Sequence, residues 1–127
     1  MADYKEEIYR QNILDHYRSP RNFKKLAKAD ARAEVSNPSC GDRFAVQIRL
    51  SKDGKVEDIG FTGSGCAISM AAASMLSERV LGRKAEEARA LDKKFVLDLL
   101  GIDPGPSRLK CTLLGLETVQ KALGKKK

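Results

Sequence analysis

The spacing of the apolar residues changes along the chain, and this change constrains the fold more than any other feature. At residues 44–50 every second residue is apolar, a spacing typical of a β-strand with one buried face. Weaker alternation at residues 31–35 and 56–61 predicts two further strands. The Asp53-Gly54 pair suits a tight turn between the second and third strands. Short links between three successive strands predict an antiparallel sheet.

Segments whose residue pattern is typical of helices lie before and after these strands. Residues 3–17 predict a helix with Ile8, Ile13 and Leu14 on a partial apolar face. Residues 66–81 are rich in small residues and predict a helix that packs closely on the sheet. Further helices are predicted at residues 85–91, at residues 92–100 and from Ser107 onward. The pattern is α+β: a small three-stranded antiparallel sheet with helices packed against it and a helical C-terminal half.

Length and composition predict one domain at residues 1–123, followed by a basic disordered tail at residues 124–127. The chain has 127 residues, of which 42% are hydrophobic and 32% charged, a balance typical of a soluble globular protein. No apolar run approaches the roughly 20 residues of a membrane span, and the N-terminus lacks the apolar segment of a secretory signal. We therefore expect a cytoplasmic protein that does not bind membranes.

The net charge of +7 raises the question of nucleic-acid binding. The basic residues are spread along the chain and interleaved with acidic ones, as in "GRKAEEARALDKK". No aromatic residues stand among them in the pattern of a single-strand-binding surface. The sequence therefore predicts no nucleic-acid binding.

Three cysteines are the strongest candidates for chemistry. An odd number in a chain without an export signal argues against a disulfide framework and favours metal binding or thiol chemistry. Each is predicted at a boundary between elements: Cys40 in the turn between two strands, Cys66 where a strand gives way to a helix, and Cys111 in the first turn of the last helix. Helix N-termini favour a thiolate over a thiol, so these positions suit reactive or metal-binding sulfur.

Asp42 follows Cys40 after a single glycine, which lets both side chains face one centre. With Cys66 and Cys111 they form a set of three sulfur ligands and one oxygen ligand. Such a set fits a tetrahedral zinc ion, and it also fits an iron–sulfur cluster with one weaker carboxylate ligand. The spacing does not choose between them, and Asp42 on its own is also compatible with a turn-forming role.

Four segments together resemble a known family. "ILDHYRSPRNF", "NPSCGD", "GSGCAIS" and "RLKCTLLGLETVQKAL" are similar, in this order, to the motifs of the IscU/NifU-type iron–sulfur cluster assembly proteins. The resemblance implies a compact α+β domain whose site consists of Cys40, Asp42, Cys66 and Cys111. It also implies a scaffold that receives sulfur from a cysteine desulfurase, builds a transient [2Fe-2S] cluster and transfers it to apo-proteins.

Lys110 distinguishes two branches of this family. IscU-type scaffolds carry histidine before the last cysteine, whereas lysine resembles the SufU branch, which is associated with zinc and sulfur transfer. In that alternative Cys111 accepts a persulfide and Lys110 stabilises it by charge. The SufU branch also carries an insertion before its last cysteine, which this chain lacks, so the scaffold function is the main expectation. A third option is a structural zinc domain that binds partners.

Other functional assignments are less constrained by the sequence. His16 is the single histidine, and we expect it to lie on a docking surface or to pack against the sheet rather than to bind a metal. Whether the chain is an enzyme in its own right stays open. The oligomeric state is also open, with a homodimer as one option.

Overall fold

The computed structural model describes residues 3–38 and 41–124. This part contains the strands β1 (Ala31–Asn37), β2 (Asp42–Leu50) and β3 (Val56–Ser64). Its helices are α1 (Asp3–Arg18), α2 (Ala67–Val80), α3 (Ala85–Arg89), α4 (Lys93–Leu100), α5 (Pro106–Thr112) and α6 (Leu114–Ala122). None of these helices is long and apolar enough to cross a membrane. The predicted α+β class is confirmed. Of the predicted tail, residues 125–127 lie outside the described residues.

The three strands form one antiparallel sheet in the order β1–β2–β3. Because β2 is the central strand, its alternate residues Phe44, Val46 and Ile48 are all buried on the face that the helices cover. Asn37 at the end of β1 pairs with Asp42 at the start of β2. The turn between these strands therefore closes beside the predicted site.

Helix α2 lies at the centre of the helical layer. Its residues from Ser69 to Ser77 are all buried, including three consecutive alanines. A Cβ atom added to Gly115 of α6 would lie 3.1 Å from the Cβ of Ala73, so the two helices approach as closely as side chains allow. The small side chains of α2 thus let the sheet and the neighbouring helices pack tightly around it.

Helix α1 packs along α2 rather than on the sheet. The Nδ1 atom of His16 lies 2.7 Å from the hydroxyl oxygen of Ser74, and the backbone N–H of Arg21 donates to the same oxygen at 2.8 Å. His16 therefore contacts helix α2, and its expected place on a docking surface or against the sheet stays a prediction. The predicted apolar face is also only partly right, because Ile13 is buried while Ile8 and Leu14 are 59% and 39% exposed.

The single C-terminal helix predicted from Ser107 is wrong, because the structure divides it at Leu113 into α5 and α6. The hydroxyl of Thr112 donates to the carbonyl of Arg108, four residues earlier, a contact that tends to bend helices. The close approach of Gly115 to α2 then fixes the direction of α6. The spacing of the leucines predicts which side of both helices is buried, but it does not predict that the helix is interrupted at Leu113.

The contact between His16 and Ser74 predicts a pH-dependent stability. Burial, together with the positive charge of Arg21, lowers the pKa of His16, while Glu78 and Asp15 act in the opposite direction. A lowered pKa in the folded state means that the neutral imidazole stabilises the fold. We expect this contribution to be complete above about pH 6.5, the usual histidine pKa, and to be lost as the pH falls through and below that value.

Urea unfolding of the protein and of His16→Gln between pH 5 and pH 8 measures this contribution. The difference in free energy of unfolding between the two proteins should shrink or change sign at the acidic end. Since His16 is the only histidine, no other imidazole contributes to the difference. Parallel pH profiles would show that the ring does not titrate differently in the folded state.

Candidate functional site

Cys66 occupies the junction between the sheet and helix α2. It is the N-cap residue of α2, and its Sγ atom accepts a hydrogen bond from the backbone N–H of Ser69 at 3.5 Å. The predicted position at a helix start is confirmed. The sulfur therefore lies at the N-terminal end of α2, next to the backbone of the first turn.

Asp42 reaches the same junction from the sheet. It is the first residue of β2 and is only 5% exposed. The hydroxyl of Ser69 donates to Oδ2 of Asp42 at 2.9 Å. Ser69 therefore contacts both Asp42 and Cys66, and it brings the carboxylate and the thiol to one end of α2.

Two glycines before Cys66 give the space for this arrangement. A Cβ atom on Gly65 would lie 2.3 Å from the Ser69 hydroxyl oxygen and 3.0 Å from Oδ2 of Asp42. Gly63 has φ +140°, and a Cβ atom there would lie 2.1 Å from the carbonyl oxygen of Arg43. Only glycine therefore allows β3 to run this close to β2 and then to turn into α2.

Cys111 lies in the last turn of α5, not in the first turn of the last helix as predicted. The correction matters because a helix C-terminus does not stabilise negative charge as an N-terminus does. The residue is buried, and α5 packs against α2, whose N-terminal end carries Cys66. Cys66 is a free cysteine. The chemistry predicted for Cys111 requires the reduced thiol.

Lys110 is exposed and borders an open groove of about 310 Å³. The groove runs between the start of α6 and residues 36–38 at the end of β1. Asn37 in this wall is the residue that pairs with Asp42. The end of α5 thus lies next to the end of β1, whose Asn37 pairs with Asp42.

His16 and the basic side chains near the N-terminus lie elsewhere. His16 contacts Ser74 and lies 3.8 Å from the carboxylate of Glu78. Arg21 pairs with Asp15, and Lys24 pairs with Asp58 at 3.3 Å. His16 is therefore engaged with the middle of α2, two turns away from the Cys66 end.

The donor atoms have the chemistry that a zinc or iron centre requires. Thiolate sulfur and carboxylate oxygen are both ligands of these metals. Within residues 3–38 and 41–124, however, no group of three or more His, Cys, Asp or Glu side chains is arranged to hold a metal ion. Cys40 lies outside the described residues. The four-ligand set of Cys40, Asp42, Cys66 and Cys111 therefore stays a prediction.

Ser69 is the site residue that the sequence analysis missed. It is 1% exposed and lies three residues after Cys66, in the "GSGCAIS" segment. That spacing is a signal, because the third residue after an N-cap presents its N–H to the cap side chain. The contact of its hydroxyl with Asp42 depends on the approach of β2, which the sequence does not reveal.

Three comparisons agree on the relatives of this chain. The family model described as "NifU-like N terminal domain" matches residues 8–127. The zinc-dependent sulfurtransferase SufU of Bacillus subtilis is 34% identical, over 94% of this chain and 92% of its own length. The iron–sulfur cluster assembly scaffold protein IscU of Aquifex aeolicus is 37% identical, over 91% of this chain and 73% of its own length.

Solved structures give the same result for the fold. A crystal structure from Fervidobacterium islandicum AW-1 superposes with a TM-score of 0.74 at 27% identity, covering 88% of this chain and 93% of that one. Its provisional name describes an iron–sulfur cluster assembly scaffold for the SUF system. The arrangement of three strands and packed helices is thus shared with a solved protein of similar length.

The role of Gly63 is testable by substitution. Gly63→Ala adds a Cβ atom at 2.1 Å from a backbone oxygen, so either β3 shifts or the turn into α2 moves. Gly54→Ala is the matched control, since Gly54 also has positive φ but meets no atom within 4 Å. Urea unfolding should show a loss of about 1–2 kcal/mol for the control from backbone strain alone and a clearly larger loss for Gly63→Ala. Equal losses would contradict the close approach.

Proposed function

Because this chain belongs to the family of the NifU-like N-terminal domain, we propose that it is a scaffold for iron–sulfur cluster assembly. It receives sulfur from a cysteine desulfurase, builds a transient [2Fe-2S] cluster on Cys40, Asp42, Cys66 and Cys111, and passes the cluster to apo-proteins. The cluster is cargo rather than a resident cofactor. The observation that carries the proposal is the meeting of Cys66 and Asp42, through Ser69, at the N-terminal end of α2.

The proposal gives each part of the chain a role. Residues 1–123 act as one domain in the cytoplasm. Cys66 is held at the N-terminus of α2 and supplies a sulfur ligand that stays bound to the cluster. Asp42 supplies an oxygen ligand that binds iron less firmly than a thiolate does, so it is the ligand that a recipient's cysteine replaces first.

The lengths of the matches do not separate the scaffold from the sulfur carrier. The match with the SufU of Bacillus subtilis runs over 137 positions, and the match with the IscU scaffold of Streptococcus pyogenes runs over 133, so both relatives have inserted residues with no counterpart here. The scaffold is preferred because the segment before Cys111 in this chain is too short for the insertion expected of the SufU branch.

A zinc-dependent sulfur carrier is the second candidate, and Lys110 favours it. This lysine is exposed and directly precedes Cys111 in the sequence, and a nearby positive charge stabilises a thiolate or persulfide. Zinc would be held by the same four residues and would lower the proton affinity of the thiols. A structural zinc domain without sulfur chemistry is the third candidate.

One assay separates these functions. The reduced protein is mixed anaerobically with a cysteine desulfurase, L-cysteine and ferrous iron, and the visible spectrum is recorded before an apo-ferredoxin is added. A scaffold develops cluster absorption and then activates the ferredoxin. A sulfur carrier forms no cluster, but its zinc-loaded form accelerates the desulfurase and carries a persulfide on Cys111. A structural zinc domain does neither.

Serine substitution tests the three cysteines in this assay. Cys40→Ser, Cys66→Ser and Cys111→Ser should each abolish stable cluster formation, because a serine hydroxyl is a poor ligand for iron at neutral pH. Ser64→Ala is the control, since it changes an exposed residue two positions before Cys66 and removes no thiol. A cysteine whose substitution leaves the iron and sulfide content unchanged does not belong to the site.

Substitution of Asp42 tests the proposed labile ligand. Asp42→Ala should slow cluster transfer to the apo-ferredoxin, because the ligand that an incoming thiolate displaces first is gone. The measurement is the rate of ferredoxin activation from preformed cluster, compared with Asp98→Ala, which removes an exposed acid on α4. Transfer that is faster or unchanged would contradict this role of the carboxylate.

A further inference from the structure

We infer that Ser69 is a positioning residue that fixes the Asp42 carboxylate and the Cys66 sulfur relative to one another before any metal binds. The inference rests on the proposed function, since it concerns the same site. Ser69 is not itself one of the predicted ligands. It acts through two different groups, its side-chain hydroxyl and its backbone N–H.

The single hydroxyl proton of Ser69 has two acceptors within reach. Oδ2 of Asp42 lies at 2.9 Å, and the carbonyl oxygen of Cys66 lies at 3.1 Å. That carbonyl already accepts the backbone N–H of Met70 at 2.9 Å. The carboxylate is charged and closer, and hydrogen bonds to ionised acceptors are the stronger ones. The proton therefore points to Asp42.

Burial makes this hydrogen bond decisive for the orientation of the carboxylate. Asp42 is 5% exposed and Ser69 is 1% exposed, so water does not readily replace the hydroxyl. Gly65 closes the space around the pair, because even a methyl group there would collide with both partners. The hydroxyl consequently holds Oδ2 against the first turn of α2 and restricts rotation of the carboxylate.

The backbone of the same residue holds the second ligand. The N–H of Ser69 donates to Sγ of Cys66, so any movement of the first turn of α2 displaces the sulfur and the carboxylate together. Substitution of a group that orients a metal ligand in this way typically lowers the affinity for the metal by about 10–100-fold. Ser69 thus links a ligand from the sheet to a ligand from the helix.

A double-mutant cycle on Zn²⁺ affinity tests this role. Ser69→Ala, Asp42→Ala and the double variant are reduced, freed of metal under anaerobic conditions and titrated with Zn²⁺ against a chromophoric chelator. Ser69→Ala should lower the affinity by about 10–100-fold. In the Asp42→Ala background the same substitution should have little further effect, because the carboxylate that it positions is absent.

A spectroscopic readout separates positioning from a general loss of stability. The visible absorption of the Co²⁺-loaded protein reports the donor set, and it should change in Ser69→Ala as the oxygen ligand is lost. Ser77→Ala is the matched control, because it removes a buried hydroxyl from the same helix that donates to the carbonyl of Ser74. Its Zn²⁺ affinity and Co²⁺ spectrum should equal those of the unchanged protein.

Gly65→Ala perturbs the same pair without removing the hydroxyl. The added methyl group displaces either Ser69 or Asp42, so it should lower the Zn²⁺ affinity and change the Co²⁺ spectrum in the same direction as Ser69→Ala. If circular dichroism shows that Ser69→Ala does not fold, the Zn²⁺ affinity and Co²⁺ spectrum of Gly65→Ala test the inference instead. Loss of the fold in both variants would assign Ser69 a structural role and overturn the inference.

The remaining outcomes also decide the matter. An equal loss of affinity from Ser69→Ala with and without Asp42 overturns the inference, as does a loss no larger than that of Ser77→Ala. If the protein without substitutions binds no Zn²⁺, the inference is also overturned. If the cycle shows the coupling but no cluster forms with the desulfurase, the scaffold function fails while the positioning role of Ser69 stands.

Discussion

The close packing of α2 determines the rest of this structure. Its small side chains let the sheet, α1 and α6 come near its axis, and a Cβ atom on Gly115 would already make a tight contact of 3.1 Å with Ala73 at the helix crossing. Interiors packed this tightly have few alternative arrangements. The position of the helix is therefore fixed along its length, and so is the position of its first turn.

The candidate site uses that fixed first turn. Cys66 caps the helix, Ser69 follows three residues later, and β2 delivers Asp42 to the hydroxyl of Ser69. Gly63 and Gly65 allow the strand to run into the helix without a Cβ atom in the space between them. The site is thus built from regular elements, and its precision derives from the packing of the helix against the sheet rather than from the loop that precedes it.

The alternation of Phe44, Val46 and Ile48 was sufficient to predict the central strand, because apolar residues at every second position are typical of a strand with one buried face. Asp92 and Gly101 likewise marked the ends of α4, where the structure has an N-cap and a left-handed C-cap. The break at Leu113 was not predictable, since it follows from a side-chain hydrogen bond of Thr112 and from the packing of Gly115 on a distant helix.

The site likewise has one part that neighbouring residues in the sequence predict and one part that depends on contacts between distant residues. The place of Cys66 at a helix start follows from the residues beside it. The burial of Asp42 and its contact with Ser69 join positions 27 residues apart, and only the fold brings them together. Residue pattern and family resemblance named the donor atoms, but they did not identify the residue that orients them.

The short helix α5 has a consequence for the sulfur that it carries. Seven residues form too few internal hydrogen bonds to hold a helix in water, so α5 owes its order to α2 and α6 rather than to its own propensity. The position of Cys111 near the end of α5 is therefore set by how α5 packs on α2, the helix whose N-terminal end carries Cys66.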